Sequence, residues 1–365
     1  MVILHVYKDY YPVLGGIENH IRTLAEAQAQ RGHNVTVLVT ARGFHSEEES
    51  LSGVRIIKAA RLATLASTPL SLELPRRLRA LHPDLTHLHT PYPIGELAQL
   101  SAGDGRPYLL TYHAEATRPL QRAVMLAYAP LFQKVLRGAA RVLATSPNYV
   151  RTSPYLSAIS DRVTIVPLGS DPQRFYPKPR AGGESFTILF VGVLRHYKGV
   201  DDLIRALALL PEPARLLIGG DGPLRAEWQA LCDRLKLGAR VTFLGRVPDE
   251  DLPALYQSAD VFVLPAINRA EAFGSVLVEA MLSGLPCVTT EIGSGTSYVV
   301  EDGVTGYVVP PRAPAALAAA LARLMSDAGL RAQFGKAGRE RALRLFTLDR
   351  MLARVEAIYE EVLQR

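Results

Sequence analysis

The sequence predicts an α/β protein with two doubly wound domains, and three observations carry that reading. Short apolar runs alternate with helical patterns from end to end, as strands of a parallel sheet covered by helices on both faces must. At 365 residues the chain exceeds what one hydrophobic core usually supports. A Pro- and Gly-rich stretch near the middle, Gly169 to Ser185 ("GSDPQRFYPKPRAGGES"), separates two such alternations and is the best candidate for a linker.

The first alternation begins with "MVILHVY", then the helical "GIENHIRTLAEAQAQRG", then the strand-like "VTVLVT" (35–40), "YLLTYH" (108–113), "RVLATS" (141–146) and "RVTIVPLG" (162–169). The second runs through "TILFVGVL", "ARLLIGG", "RVTFLG", "DVFVLP", "PCVTT" and "TGYVVP". The segment "LDRMLARVEAIYEEVLQR" is helical with no strand after it, which suggests that it packs back across the domain junction. The expected division is 1–168, 169–345 and a returning helix over 346–365.

Composition narrows the class. The chain is 48% hydrophobic and 21% charged, ordinary for a soluble globular protein. Cys232 and Cys287 show neither pairing nor metal-ligand spacing, which fits a reduced, cytoplasmic chain. No basic leader precedes the first strand and no window approaches 18 apolar residues, so neither a signal peptide nor a membrane span is expected. The net charge of +6 is unevenly spread: residues 1–170 carry 18 Lys and Arg against 12 Asp and Glu, and the remainder is balanced at 23 against 23. Clusters such as Arg76, Arg77 and Arg79 fit either an anionic surface or a solvated helix face.

Ligands of open parallel sheets bind at the carboxyl ends of the strands, which directs attention to four loops. In the first, Gly15 and Gly16 precede a helix, offering unobstructed amides and a positive dipole end, or a plain βα turn. In the second, Arg195 and Lys198 could both reach one diphosphate, or form a surface basic pair. The third, Gly219 to Gly222, lacks the third glycine of a dinucleotide fingerprint, and Gly220 is read as walling a nucleotide pocket rather than an NAD site. In the fourth, "EAFGSVLVEAM", Glu271 and Glu279 flank a Phe273-Gly274-Ser275 turn that opens a helix. Two acceptor-only groups around an anion site suit a sugar nucleotide, which offers hydroxyl, diphosphate and hydroxyl in that order.

These stretches, "GGIENH", "VGVLRHYKG", "GDGPL", "FLGRVPDEDL" and above all "EAFGSVLVEAMLSGLPCV" with its Glu-x7-Glu spacing, resemble the retaining glycosyltransferases of family 4 along essentially the whole chain. The resemblance implies the GT-B fold, in which two Rossmann-like domains face a central cleft. It implies that Glu271 contacts the donor sugar, Glu279 the ribose, Arg195 and Lys198 the diphosphate, with Gly16 approaching from the other domain. It also implies that His113 of "TYHAE" lies beside the donor sugar, and the loop at Gly245 and Arg246 is expected to border the base. "GSGTSY" (293–298), "LRHYKG" and "DGVTGYVV" are similar to bacterial mannosyl- and rhamnosyltransferases of surface-polysaccharide assembly. One departure is that the arginine usual directly after the strand glycine comes later here, at Arg195, because Val193 follows Gly192.

The expected chemistry is transfer of a hexose, mannose from GDP-mannose being the first choice, to a hydroxyl of a glycan or lipid-linked glycan. A UDP-sugar transferase acting on a soluble small molecule and a sugar-nucleotide epimerase of the same fold are the alternatives. No resident cofactor, metal or nucleic-acid partner is expected. The acids Asp249 to Asp251 have an Asp-x-Asp spelling but open a helical pattern, where they suit the N-terminal dipole. The basic front half suits peripheral association with an anionic membrane.

Overall fold

The computed structural model describes residues 1–13, 15–65, 67–102, 105–115, 119–179 and 185–364. The chain forms two compact units, Met1–Val166 with Met351–Arg365, and Pro167–Arg350.

The first unit is built on a sheet whose strands are β1 (Val2–Val6), β2 (Asn34–Thr40), β3 (Glu47–Leu51), β4 (Val54–Ala59), β7 (Leu85–Thr90), β8 (Tyr108–Tyr112), β9 (Arg141–Ala144) and β10 (Val163–Ile165), with β5 (Ala63–Leu65) and β6 (Thr68–Leu70) forming a separate antiparallel ribbon. Their order is β10-β9-β8-β7-β1-β2-β4-β3, parallel throughout except for β3 against β4. Strands β2, β7 and β8 are buried along nearly their whole length, as in any sheet sandwiched between helices; apolar residues mark β2 and β8, whereas β7 is rich in histidine and threonine. The helix Leu348–Leu363 brings the chain back into this unit from Met351, burying Met351, Leu352, Val355, Ile358 and Tyr359.

The second unit has strands β11 (Thr187–Val191), β12 (Arg215–Gly219), β13 (Val241–Gly245), β14 (Val261–Leu264), β15 (Cys287–Thr290) and β16 (Gly306–Val309). All pair in parallel in the order β13-β12-β11-β14-β15-β16. This is the 3-2-1-4-5-6 order of a dinucleotide-binding fold, with its reversal between β11 and β14. The corresponding reversal in the first unit falls between β1 and β7.

The Pro- and Gly-rich stretch does not behave as a free linker over the part described. Phe175 is buried in the second unit with its ring 5.6 Å from that of Tyr256, and Ser170 bridges to Thr347. Burying the Phe175 ring contributes about 1.5–3 kcal/mol toward holding this segment, and the Ser170–Thr347 pairing adds to it. Its residues 180–184 lie outside the described residues.

Candidate active site

In the second unit, the loops that leave β11 and β14 on either side of the reversal carry the groups singled out in the sequence. The loop after β11 tightens into a 3-10 turn, His196–Lys198, and ends at Gly199 before the helix Val200–Ala208. Gly199 sits at φ +66, and a Cβ there would lie 2.1 Å from the Pro265 carbonyl oxygen, so only glycine lets this loop lie against the loop after β14. Ile267 N–H donates to the Tyr197 carbonyl at 2.9 Å and fastens the two loops together.

That docking brings Lys198 to Glu271. Lys198 Nζ lies 2.5 Å from Glu271 Oε2, and both side chains are about nine-tenths buried, at 11% and 12% exposure. Burial alone would lower the Lys198 ammonium, but Glu271 overrides it and holds the group above its ordinary value. The lysine is therefore charged at any physiological pH. Arg195 is exposed, has no ion-pair partner among the described residues, and is close enough to add positive potential at Lys198.

Directly after Glu271 the chain turns at Gly274, the N-cap, and starts the helix Ser275–Leu282. The first amides of this helix have no intrahelical acceptor, so its start could receive an anion a few residues from Glu271. Glu279 lies just over one turn further in; burial pushes its carboxyl up to about 7, and Tyr256 Oη donates to Oε2 at 2.7 Å. Phe273, in the same turn, faces the core. Its side chain is 2% exposed and packs edge-on to Phe346, so it anchors the turn in the core and can offer a ligand only its backbone.

Gly220, at the end of β12, lies so close to Gly192 that a Cβ would meet the Gly192 carbonyl oxygen at 2.0 Å. Its N–H donates to the Gly245 carbonyl at 2.7 Å, so it closes the three strand ends into one floor. Arg246, next to Gly245, is exposed. Asp249 to Asp251 form an exposed 3-10 turn leading into the helix Leu252–Gln257.

In the first unit, the Gly15-Gly16 turn starts the helix Gly16–Gln30 as expected, but it is not an open anion cradle. The Glu18 carboxylate lies 2.2 Å from where a Cβ on Gly15 would be, so negative charge already stands beside this helix start. Gly16 alone faces open space.

His113 follows the last residue of β8, and its N–H donates to the Thr90 carbonyl at 3.2 Å. Behind it stands a set of histidines that the sequence reading did not single out. The β1–β7 register sets His5 beside His87, His89 lies two residues on along β7, and His20 comes from the helix Gly16–Gln30. The ring centroids of His87 and His89 are 4.4 Å apart, those of His89 and His113 5.2 Å, and those of His20 and His113 5.1 Å. The signal was present as "LTHLHT", whose two histidines alternate onto one face if the segment is a strand.

Residues 14–174 match the family described as Glycosyltransferase Family 4, and residues 173–341 match Glycosyl transferases group 1. The D-rhamnosyltransferase WbpZ of Pseudomonas aeruginosa is 37% identical over 95% of this chain and 92% of its own. The O-antigen chain mannosyltransferase C of Escherichia coli is 33% identical over 100% of this chain and 99% of its own. The chain belongs to glycosyltransferase family 4. Among solved structures, the sucrose-phosphate synthase of Thermosynechococcus elongatus superposes with a TM-score of 0.81 at 25% identity, covering 99% of this chain and 98% of that one. The glycosyltransferase thus has the two Rossmann-like domains of the GT-B fold, and its relatives include enzymes of surface-polysaccharide assembly.

The histidine set fixes how the glycosyltransferase responds to acid. Burial pushes His5 and His20 down to about 4, and His87, His89 and His113 well below the ordinary imidazole value. The polar groups facing them, Gln28, Thr111 and Tyr359, bring no opposite charge to offset this. Unfolding releases imidazoles that would bind protons near pH 6.5, so the folded state loses stability as pH falls from there toward 4. Glu279, raised to about 7, and Glu96 and Asp202, whose carboxyls burial also raises, act in the opposite sense but are three groups against five. The melting temperature is expected to drop between pH 7.5 and pH 5.5 in differential scanning calorimetry, and an unchanged value would mean that the folded cluster takes up protons freely.

Proposed function

We propose that this glycosyltransferase moves a hexose, mannose from GDP-mannose, onto a hydroxyl of a glycan or lipid-linked glycan, with retained anomeric configuration and without a metal ion. The observation that carries the reading is the buried Lys198–Glu271 pair beside the start of the helix Ser275–Leu282. A diphosphate meets there a fixed ammonium, the Arg195 guanidinium and unpaired amides, which together supply the positive charge a divalent ion would otherwise bring. Glu271 accepts from a sugar hydroxyl on one side, and Glu279, when ionised, from the ribose diol on the other. His113 is a hydrogen-bonding group for the sugar. The choice of mannose and guanine rests on the mannosyl- and rhamnosyltransferase relatives.

In the reaction, the bond between the anomeric carbon and the diphosphate oxygen breaks and its electron pair leaves with the diphosphate. The acceptor oxygen bonds the same carbon from the same face, and its proton passes to the departing diphosphate. Lys198 and the helix amides stabilise charge that grows as that bond breaks, so they favour the transition state over the ground state. The motif carboxylates are engaged elsewhere, Glu271 by Lys198 and Glu279 by Tyr256, which favours front-face attack over a glycosyl-enzyme.

The acceptor reading has support in the first unit. Phe44, Leu62, Leu65 and Leu72 are 77%, 59%, 62% and 75% exposed. Their segments are tied together by Arg61 N–H to the Gly43 carbonyl, Leu62 N–H to the Leu70 carbonyl and the Ser46 hydroxyl to Glu73. Of the arginines nearby, Arg77 is held by Glu48 and Glu73, and Arg79 donates to the Ser101 carbonyl. Arg76 has no ion-pair partner among the described residues. An apolar rim with outward cations suits peripheral contact with an anionic bilayer that presents a lipid-linked acceptor. No helix among the described residues is long and apolar enough to cross a membrane.

Three measurements test this. GDP-mannose at about 100 times its dissociation constant should stabilise the fold by about 2.7 kcal/mol and do so equally in EDTA; stabilisation by UDP-glucose or UDP-N-acetylglucosamine instead would reassign the donor, and loss in EDTA would require a metal. Lys198→Ala should lower kcat about a hundredfold, on the order of 3 kcal/mol of barrier, and also lower the melting temperature because Glu271 loses its counter-ion. A folded variant with unchanged kcat would remove Lys198 from the diphosphate site. The protein should sediment with anionic vesicles at low salt and be released as salt shortens the screening length to about 3 Å at 1 M, whereas no sedimentation at low salt would leave a soluble acceptor.

A further inference from the structure

The histidines behind His113 form a directed chain of hydrogen bonds, and its direction can be worked out atom by atom. It starts at Gln28, whose amide presents Oε1 to His5 Nε2 at 2.8 Å and Nε2 to the Tyr359 hydroxyl at 3.4 Å. A carbonyl oxygen only accepts, so His5 carries its proton on Nε2 and leaves Nδ1 bare. His5 Nδ1 is 3.0 Å from His89 Nε2, which must therefore donate, leaving His89 Nδ1 bare in turn. His89 Nδ1 is 2.9 Å from His113 Nε2, which must donate as well. The last nitrogen, His113 Nδ1, has no hydrogen-bond partner among the described residues, although the residue is only 3% exposed.

A parallel branch agrees. The Tyr359 hydroxyl, which accepts from Gln28, spends its one proton on His87 Nδ1 at 2.6 Å, and His87 Nε2 then donates to Thr111 Oγ1 at 2.6 Å. Every ring nitrogen of His5, His87 and His89 is thus occupied by a hydrogen bond. Binding a metal ion through His5, His87 and His89 would break this chain at each ligand, and binding it through His20, His89 and His113 would require His89 to give up one of its two hydrogen bonds. The histidines cannot escape the constraint by taking up a second proton, because they lie in the middle of the sheet at 0% exposure for His5 and His87 and 1% for His89.

We propose that Gln28, His5 and His89 are positioning residues that hold His113 in a single neutral tautomer, Nε2 protonated and Nδ1 bare, so that His113 meets a sugar hydroxyl only as a hydrogen-bond acceptor. Which nitrogen of a histidine is free is set by the partner of the other one, and here that partner is traced through three side chains to an amide on a helix. The use made of the bare nitrogen rests on the reading of His113 as a residue of the donor sugar; the tautomer does not.

The test reads the tautomer directly, on the full chain without any sugar nucleotide. Histidine ring nitrogens are labelled with 15N, and long-range proton–nitrogen correlation spectra are recorded at pH 7.5, with the His113 signals identified by their loss in His113→Asn. Expected are a protonated Nε2 and a bare Nδ1 for His5, His87, His89 and His113 alike. In Gln28→Met, which removes the fixed acceptor at the far end while keeping side-chain length, His113 is expected to become a mixture of tautomers. His89→Phe, which cuts the chain next to His113, serves if the first variant does not fold. A wild-type His113 protonated on Nδ1, or variants that both leave its spectrum unchanged, would overturn the proposal. Displacement of the ring-nitrogen signals by added zinc would overturn it in favour of a metal centre. Once a donor is identified, Gln28→Met should lower kcat about tenfold, the effect of misdirecting one neutral hydrogen bond, with unchanged kcat counting against it. If no sugar nucleotide binds at all, the donor reading fails while the spectra still decide the tautomer.

Discussion

The second unit depends on one topological constraint, the reversal of strand order between β11 and β14. Two adjacent strands whose following helices lie on opposite faces of the sheet leave a gap at their carboxyl ends, and nothing but loops can fill it. Here the loops fill it with an ion pair. Lys198 and Glu271 are 73 positions apart in sequence yet 2.5 Å apart in space, because Gly199 allows backbone contact at Pro265 and Ile267 hydrogen-bonds to Tyr197. Either charge alone would be strongly disfavoured at that depth, and together they keep an ammonium buried and ready beside the amides of the next helix. The charge balance of this half of the sequence, 23 basic against 23 acidic residues, therefore hides a local positive site built from a few groups.

The first unit meets the same topological constraint differently. Its reversal, between β1 and β7, is lined beneath by imidazoles rather than by an ion pair. Three imidazoles in a sheet centre would be costly if left unpaired, and the fold offsets this by giving each ring nitrogen of His5, His87 and His89 a partner. Two of those partners, Gln28 and Tyr359, come from opposite ends of the chain. The helix Leu348–Leu363 is thus tied into this unit by polar groups as well as by its apolar face, and Arg31 reinforces the contact at Glu356.

Much of this was legible in the sequence, for physical reasons that differ by element. Strands such as Val261–Leu264 and Cys287–Thr290 show as continuous apolar runs because both faces of a parallel sheet are dry, and the Glu271–Glu279 spacing with its Gly-Ser start marks a helix terminus that needs acceptors on both sides. Strand β7 went unread because histidine and threonine alternate through it, so "LTHLHT" has no apolar run and its role depends on partners in β1, β8 and the last helix. Phe273 illustrates a second limit: a ring inside a ligand motif can serve the core instead, and only its contact with Phe346 decides. Glu18 illustrates a third. A glycine pair at a helix start reads as an anion site until the fold shows a carboxylate three residues on, lying over it.

The two carboxylates of the motif, alike in sequence, are given different electrostatic tasks by their surroundings. Glu271 faces the Lys198 ammonium, so a phosphate that drew Lys198 toward itself would free Glu271 to accept from a hydroxyl. Glu279 faces a phenol and apolar side chains, and burial leaves it near half-ionised at neutral pH. A diol donating to it would favour the ionised form, so binding of a ribose and loss of that proton are linked: each promotes the other. The helix Ser275–Leu282 fits this division, because its first amides lie at its positive end while Glu279 sits just past the first turn, where the dipole's effect has fallen off. One helix thereby holds its free first amides and a buried carboxyl a fixed distance apart, a spacing that would serve the diphosphate and ribose of the proposed donor.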